Sequence, residues 1–161
     1  MKNFCMASLF LLCLPALVLA QAKPTPEEAK KVVDYYFNGK GKGVILMDYK
    51  LCQTVPKKGE GKYECQQAIT GWKVRKGQQV FLWMNFLVPA EEKANILLQF
   101  ERKNIVRKTT DLSLAGSLRH RTWRRIPTNR VGNWKVNIIQ ETVKADLAVG
   151  QFEFSVVKSS R

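Results

Sequence analysis

The chain has 161 residues, of which 27 are basic and 13 acidic, giving a net charge of +14, and 45% of it is hydrophobic. That length can bury one adequate core, and such an excess of positive charge points to anionic partners. With one histidine, His120, any Ser-His-Asp arrangement would have to run through that residue.

Lys2, the apolar run FCMASLFLLCLPALVLA and the small-residue pattern Ala20-Gln21-Ala22 are the three parts of a secretory signal. The run is almost long enough to span a bilayer, but Pro15 within it and the small-x-small pattern after it favour cleavage. Residues 1–22 are therefore expected to be a signal peptide, and the product to be periplasmic or secreted. Lys2 is the only charged residue lost with it, so the chain stays strongly basic. Cys52 and Cys65 remain, and an even pair in an exported chain reads as a disulfide. It would close a loop of about 14 residues and contribute about 3 kcal/mol. Two cysteines and one histidine fall short of the four ligands of a structural zinc site, so neither metal nor cofactor is expected.

Residues 23–43 are expected to form a helix and a Gly/Lys linker. Thr25-Pro26-Glu27-Glu28 has the form of a capping box with proline in the first helical position. Ala29, Val32, Val33, Tyr36 and Phe37 follow at helical spacing as one apolar stripe, and Asn38-Gly39 closes the helix. About thirteen residues are too few for a stable isolated helix, so it must dock on its own domain or on a partner. GKGKG, residues 39–43, is a flexible and solvated tether.

From residue 44 to 161 the pattern is that of strands. VILMDYKLC places Ile45, Met47, Tyr49 and Leu51 on one face, PKKGEG turns, and KYECQQAI returns with Tyr63, Cys65, Gln67 and Ile69 alternating. Lys76-Gly77 marks a turn. The run Val80 to Val88, broken only by Asn85, reads as a strand buried on both sides. PAEEKAN reads as a solvated loop, and NILLQFERKNIVRKTTDLSL as two strands turning at Arg102-Lys103-Asn104. SLRHRTWRRI places Leu118, His120, Thr122 and Ile126 inward. Trp134, Val136 and Ile138, then Phe152, Phe154 and Val156, do the same in the last two strands. Seven or eight short strands without helical crossovers predict an all-β antiparallel β-sandwich.

Arg121-Thr122-Trp123-Arg124, Gly132-Asn133-Trp134-Lys135-Val136 and Phe152-Glu153-Phe154-Ser155-Val156 occur in that order. Residues 118–157, through these segments, resemble a family of bacterial envelope domains of unknown function with an immunoglobulin-like sandwich. The resemblance implies an immunoglobulin-like fold and an envelope location, and no activity. This chain looks more basic than that family.

The residues show no Gly-rich phosphate loop, zinc motif or active-cysteine context, and a non-enzymatic role is expected. Between Asp111 and Glu141 there is no acid, while Arg119, Arg121, Arg124, Arg125, Arg130 and Lys135 accumulate. Residues two apart on a strand share a face, so Arg119, Arg121 and Arg125 would point one way with Trp123 among them. Planar guanidinium groups suit phosphate or carboxylate, and Trp123 suits stacking. The alternative is an edge strand kept soluble by its charge. The expected site is Arg119, Arg121, Trp123, Arg124, Arg125 and Arg130. Its expected ligand is an anionic envelope component, whether lipid headgroup, lipopolysaccharide or acidic glycan. Nucleic acid is not favoured, since no recognition helix is visible. The second reading is an accessory or scaffold subunit that docks its N-terminal helix on another envelope protein.

Overall fold

The computed structural model of the chain describes residues 25–37 and 43–159, with the side chains of residues 36, 37 and 90–92 outside that description. The expected signal peptide, residues 1–22, the helix stop at Asn38-Gly39 and most of the Gly/Lys linker also lie outside the described residues. The elements are α1 (Pro26–Phe37), β1 (Ile45–Thr54), β2 (Gln66–Ala68), β3 (Lys73–Arg75), β4 (Phe81–Arg102), β5 (Ile105–Arg125), β6 (Gly132–Glu141) and β7 (Leu147–Val157). The described residues form an all-β fold with one short α-helix. Its strands form one hydrogen-bonded sheet in the order β2-β1-β4-β6-β7-β3, with β5 along the other side of β4.

Two features depart from expectation. The segments read as four short strands are two long ones, β4 of 22 residues and β5 of 21. PAEEKAN does not end a strand; the β4–β5 register shifts between Val88 and Lys93, around Pro89, which has no N–H for the ladder. The second departure is β3, which runs parallel to β7 through Lys73, Val74 and Arg75. The sheet is therefore mixed rather than wholly antiparallel. A three-residue strand carries no sequence signal of its direction.

The first half of β4 lies between β1 and the second half of β5, and the second half lies between β6 and the first half of β5. Leu82, Met84 and Phe86 from one half join Ile96, Leu98 and Phe100 from the other in a single hydrophobic cluster. The sheet curls at the Val88–Lys93 shift, so that one alternating face of each half meets a common core. Leu51, Leu112, Trp134, Val136 and Phe154 complete it. Each large side chain so buried stabilises the fold by about 1.5–3 kcal/mol.

Trp83, Asn85 and Leu87, on the opposite face of β4, are buried as well, as the sequence of Val80 to Val88 predicts. Two covers make this possible. One is the segment before β2, held by the Cys52–Cys65 disulfide with a Cα–Cα distance of 5.5 Å. Within it the carbonyl of Tyr63 accepts a 2.7 Å hydrogen bond from Trp83 Nε1, and the Tyr63 ring packs 5.4 Å from that of Trp123. The expected alternation of Tyr63, Cys65, Gln67 and Ile69 does not form. Tyr63 and Gln67 take positive φ, 63° and 53°, and the returning strand shrinks to Gln66–Ala68. A bulge between Leu46 and Asp48 also splits the expected face of β1. Val44 and Leu46 meet the core before it, Tyr49 and Leu51 after it.

The second cover is α1. Its capping box is present: Thr25 N–H donates to Glu28 Oε2 at 2.9 Å, and Glu28 N–H to Thr25 Oγ1 at 3.2 Å. Of the expected apolar stripe, Ala29 and Val33 are exposed and Val32 is half-buried, while the side chains of Tyr36 and Phe37 lie outside the described residues. Glu28, Lys31 and Tyr35 reach the sheet through hydrogen bonds. Lys31 Nζ donates to the Met47 carbonyl at 2.7 Å and Tyr35 Oη to the Gly43 carbonyl at 3.0 Å. Asn85 Nδ2 donates to Glu28 Oε1 at 3.3 Å. The sheet surface beneath offers amide, carbonyl and guanidinium groups, so the polar side of the helix finds the partners. The helix thus rests on its own domain.

Candidate anion-binding surface

The second half of β5 pairs with β4 alone, so it is an edge strand. Arg121 lies opposite Asn85 and Trp123 opposite Trp83, on the sheet face that α1 and the disulfide-held segment cover. Arg124 lies opposite Leu82 and Thr122 opposite Met84, on the core-side face at its rim. Strand alternation therefore separates Arg124 from Arg121 and Arg125. A register shift between Phe86 and Val88 changes the alternation upstream, and Leu118, expected inward, is 66% exposed. His120 is half-buried, with Nδ1 3.2 Å from the Ala115 carbonyl.

Arg119 and Arg121 have acidic partners. Arg119 Nη2 lies 3.3 Å from Glu28 Oε2, and Arg121 Nη1 2.9 Å from Glu64 Oε1. Burial alone would raise the Glu28 pKa. The Thr25 N–H and the positive charges of Arg119 and Arg121 outweigh that effect and hold the carboxyl below its ordinary range. Arg124 Nη1 donates to the Trp123 carbonyl at 2.9 Å. Trp123 is half-buried against Tyr63 rather than open for stacking. The six residues expected to form one site are thus divided. Arg119, Arg121 and Trp123 hold the covers in place, Arg124 sits on the opposite face, and Arg125 and Arg130 lie elsewhere.

Arg125 and Arg130 belong to a basic end of the molecule. Beyond β5, Ile126 and Thr128 are buried while Arg125, Asn129, Arg130 and Val131 are exposed. Ile126 N–H donates to the Val80 carbonyl at 3.1 Å and Thr128 Oγ1 to the Gln78 carbonyl at 2.8 Å, so this segment is pinned. Against it lies the β4–β5 turn. Lys103 and Asn104 both have positive φ, 54° and 58°, as a two-residue type I′ hairpin requires. Arg102 Nη1 donates to the Val131 carbonyl at 3.0 Å, and its guanidinium lies 5.9 Å from the Trp134 ring centre. Trp134 Nε1 donates to the Arg130 carbonyl at 3.1 Å. Lys108 Nζ reaches the Arg125 carbonyl at 3.4 Å.

Arg102, Lys108, Arg125 and Arg130 are thereby gathered, with Lys103 and Arg107 next to them in the chain, and none of the six forms an ion pair among the described residues. Glu101, next to Arg102 in the chain, is committed to Lys135 Nζ at 2.8 Å and Asn137 Nδ2 at 2.7 Å. The sequence signal for this surface was present in ERKNIVRK, whose cations flank a turn. What was missing was the fold that brings it beside Arg125 and Arg130. An open cavity of about 440 Å³ adjoins the turn. It is lined by both signs of charge, Glu101 and Glu153 beside Arg102, Lys103 and Lys135. Among the described residues no group of His, Cys, Asp and Glu could hold a metal ion.

No family model matches the chain, and no curated protein matches it in sequence. Among solved structures it is similar to the C-terminal domain of wzt, at 12% identity and a TM-score of 0.46, over 73% of this chain and 75% of that one.

Proposed function

We propose that the protein is an exported, non-enzymatic binding module for an anionic envelope component, with the basic end as its contact surface. The observation that carries this reading is the group of six cations on β4, β5 and the segment after β5, without carboxylate partners among the described residues. Elsewhere on β5 the guanidinium groups of Arg119, Arg121 and Arg124 are satisfied internally, so on this strand the cations free of such partners are those of the basic end. Hydrogen-bonded backbone on both sides of the surface fixes its geometry, as a binding site needs. The two curled halves of the sheet, sharing one core, support reading the architecture as a sandwich of immunoglobulin-like type. The Cys52–Cys65 disulfide supports an oxidising compartment, in keeping with the signal-like N-terminus.

The test is binding of the chain to lipopolysaccharide, an acidic polysaccharide and anionic vesicles over a salt series. We expect affinity for at least one of them, weakening as salt rises through screening. Arg107→Gln/Arg125→Gln/Arg130→Gln should reduce it by about a hundredfold, at ~1 kcal/mol for each cation. Binding indifferent to salt, or retained in full by that triple variant, would overturn the reading.

A further inference from the structure

The basic end also carries apolar side chains in the open. Ile105 and Val106 follow directly on the Lys103-Asn104 turn and are 52% and 44% exposed. Val131, whose carbonyl accepts from Arg102, is exposed as well. β-Branched aliphatics of this kind gain nothing from contact with a soluble glycan or a phosphate. They gain from leaving water, by an amount proportional to the area covered. Ile105 lies opposite Arg102 and Val106 opposite Glu101, so the two occupy both faces of the turn's end. Cations beside exposed aliphatics complement a surface that is anionic outside and hydrocarbon within. A phospholipid bilayer of net negative charge has that chemistry.

Resting on the anion-binding reading above, we infer that the β4–β5 turn docks on an anionic phospholipid bilayer. Ile105, Val106 and Val131 enter the headgroup–acyl boundary, and Lys103, Arg107, Arg125 and Arg130 meet the phosphates. The turn needs no rearrangement to do so, because the type I′ geometry and the Arg102 contact with the Val131 carbonyl already hold its backbone in place. Nucleic acid would use the same cations and leave the aliphatics idle.

The experiment compares the full chain, Ile105→Ser/Val106→Ser and Ile105→Trp on vesicles of phosphatidylglycerol and phosphatidylcholine, with polyphosphate and a short DNA duplex as soluble anions. Thermal melts confirm that each variant is folded. We expect the serine pair to bind vesicles about tenfold more weakly while binding polyphosphate as the parent does. In Ile105→Trp, bromine-labelled lipid should quench fluorescence beyond the loss shown by the parent. Vesicle binding unchanged in the serine pair, without added quenching in Ile105→Trp, would overturn insertion and leave anion binding intact. Binding of polyphosphate or lipopolysaccharide without vesicles would do the same. Tighter binding of DNA than of vesicles at equal salt would replace the bilayer with nucleic acid. Failure to bind any anion would overturn both readings.

Discussion

Glu28 links three parts of the molecule through one carboxylate: it caps α1 at Thr25, accepts from Asn85 and pairs with Arg119. Its lowered pKa makes helix docking dependent on pH, with a definite sign. Ionised Glu28 is the docked form, so its contribution is complete above the ordinary carboxylate value of 4.5 and is lost as pH falls through the lowered one. Amide exchange in α1, corrected for intrinsic rates, should rise at acid pH before the core amides follow. Glu28→Gln should raise it about fivefold at neutral pH, for the ~1 kcal/mol of a partly buried pair at a helix start. In that variant the acid response should largely vanish. Gln140 has a comparable role, since its Oε1 accepts from the buried Val44 N–H at 2.8 Å. Gln140→Leu should cost about 1–3 kcal/mol in denaturant unfolding, because it strands that donor.

At the scale of elements, the segment between β1 and β2 is structured by what anchors it. Replacing both cysteines by serine should lower stability by about 3 kcal/mol and free Tyr63 and Glu64, exposing Trp83 and Trp123. A red shift of tryptophan emission would report the second effect, and an unchanged spectrum would show that the segment holds without its bridge. The β4–β5 turn offers the converse experiment. Asn104 occupies a positive-φ position that glycine fills without strain. Asn104→Gly should therefore leave the melting temperature equal or slightly raised, whereas Asn104→Val should lower it by several degrees. In α1, the amphipathic spacing revealed a helix but not its docking side. A helix turns the face that its neighbours can satisfy, and here those neighbours include Asn85, Arg119 and two carbonyls.

Across the whole molecule, the curl of β4 and β5 is the organising event. Phe100 is fully buried in the cluster that unites the two halves, and Phe100→Ala should destabilise the chain by about 3–5 kcal/mol. The same curl gathers Arg102, Lys108, Arg125 and Arg130 at one end by placing the β4–β5 turn against the segment that follows β5. It also moves Arg119 and Arg121 beneath their covers.

The amino-acid order by itself determined the capping box at Thr25 and Glu28, the cysteine pair, the hairpin turn after Arg102, and the inward faces of β6 and β7. All depend on contacts or periodicities a few residues long, apart from the cysteines, which were the two left to pair. Tertiary structure alone decided the parallel course of β3, the polar contacts of α1 and the division of the arginines. Arg119 meets Glu28 across 91 residues of chain, and Arg130 meets the β4–β5 turn only because the sheet bends. An arginine's charge is written in the sequence, but whether it is neutralised depends on which carboxylate the fold brings within reach.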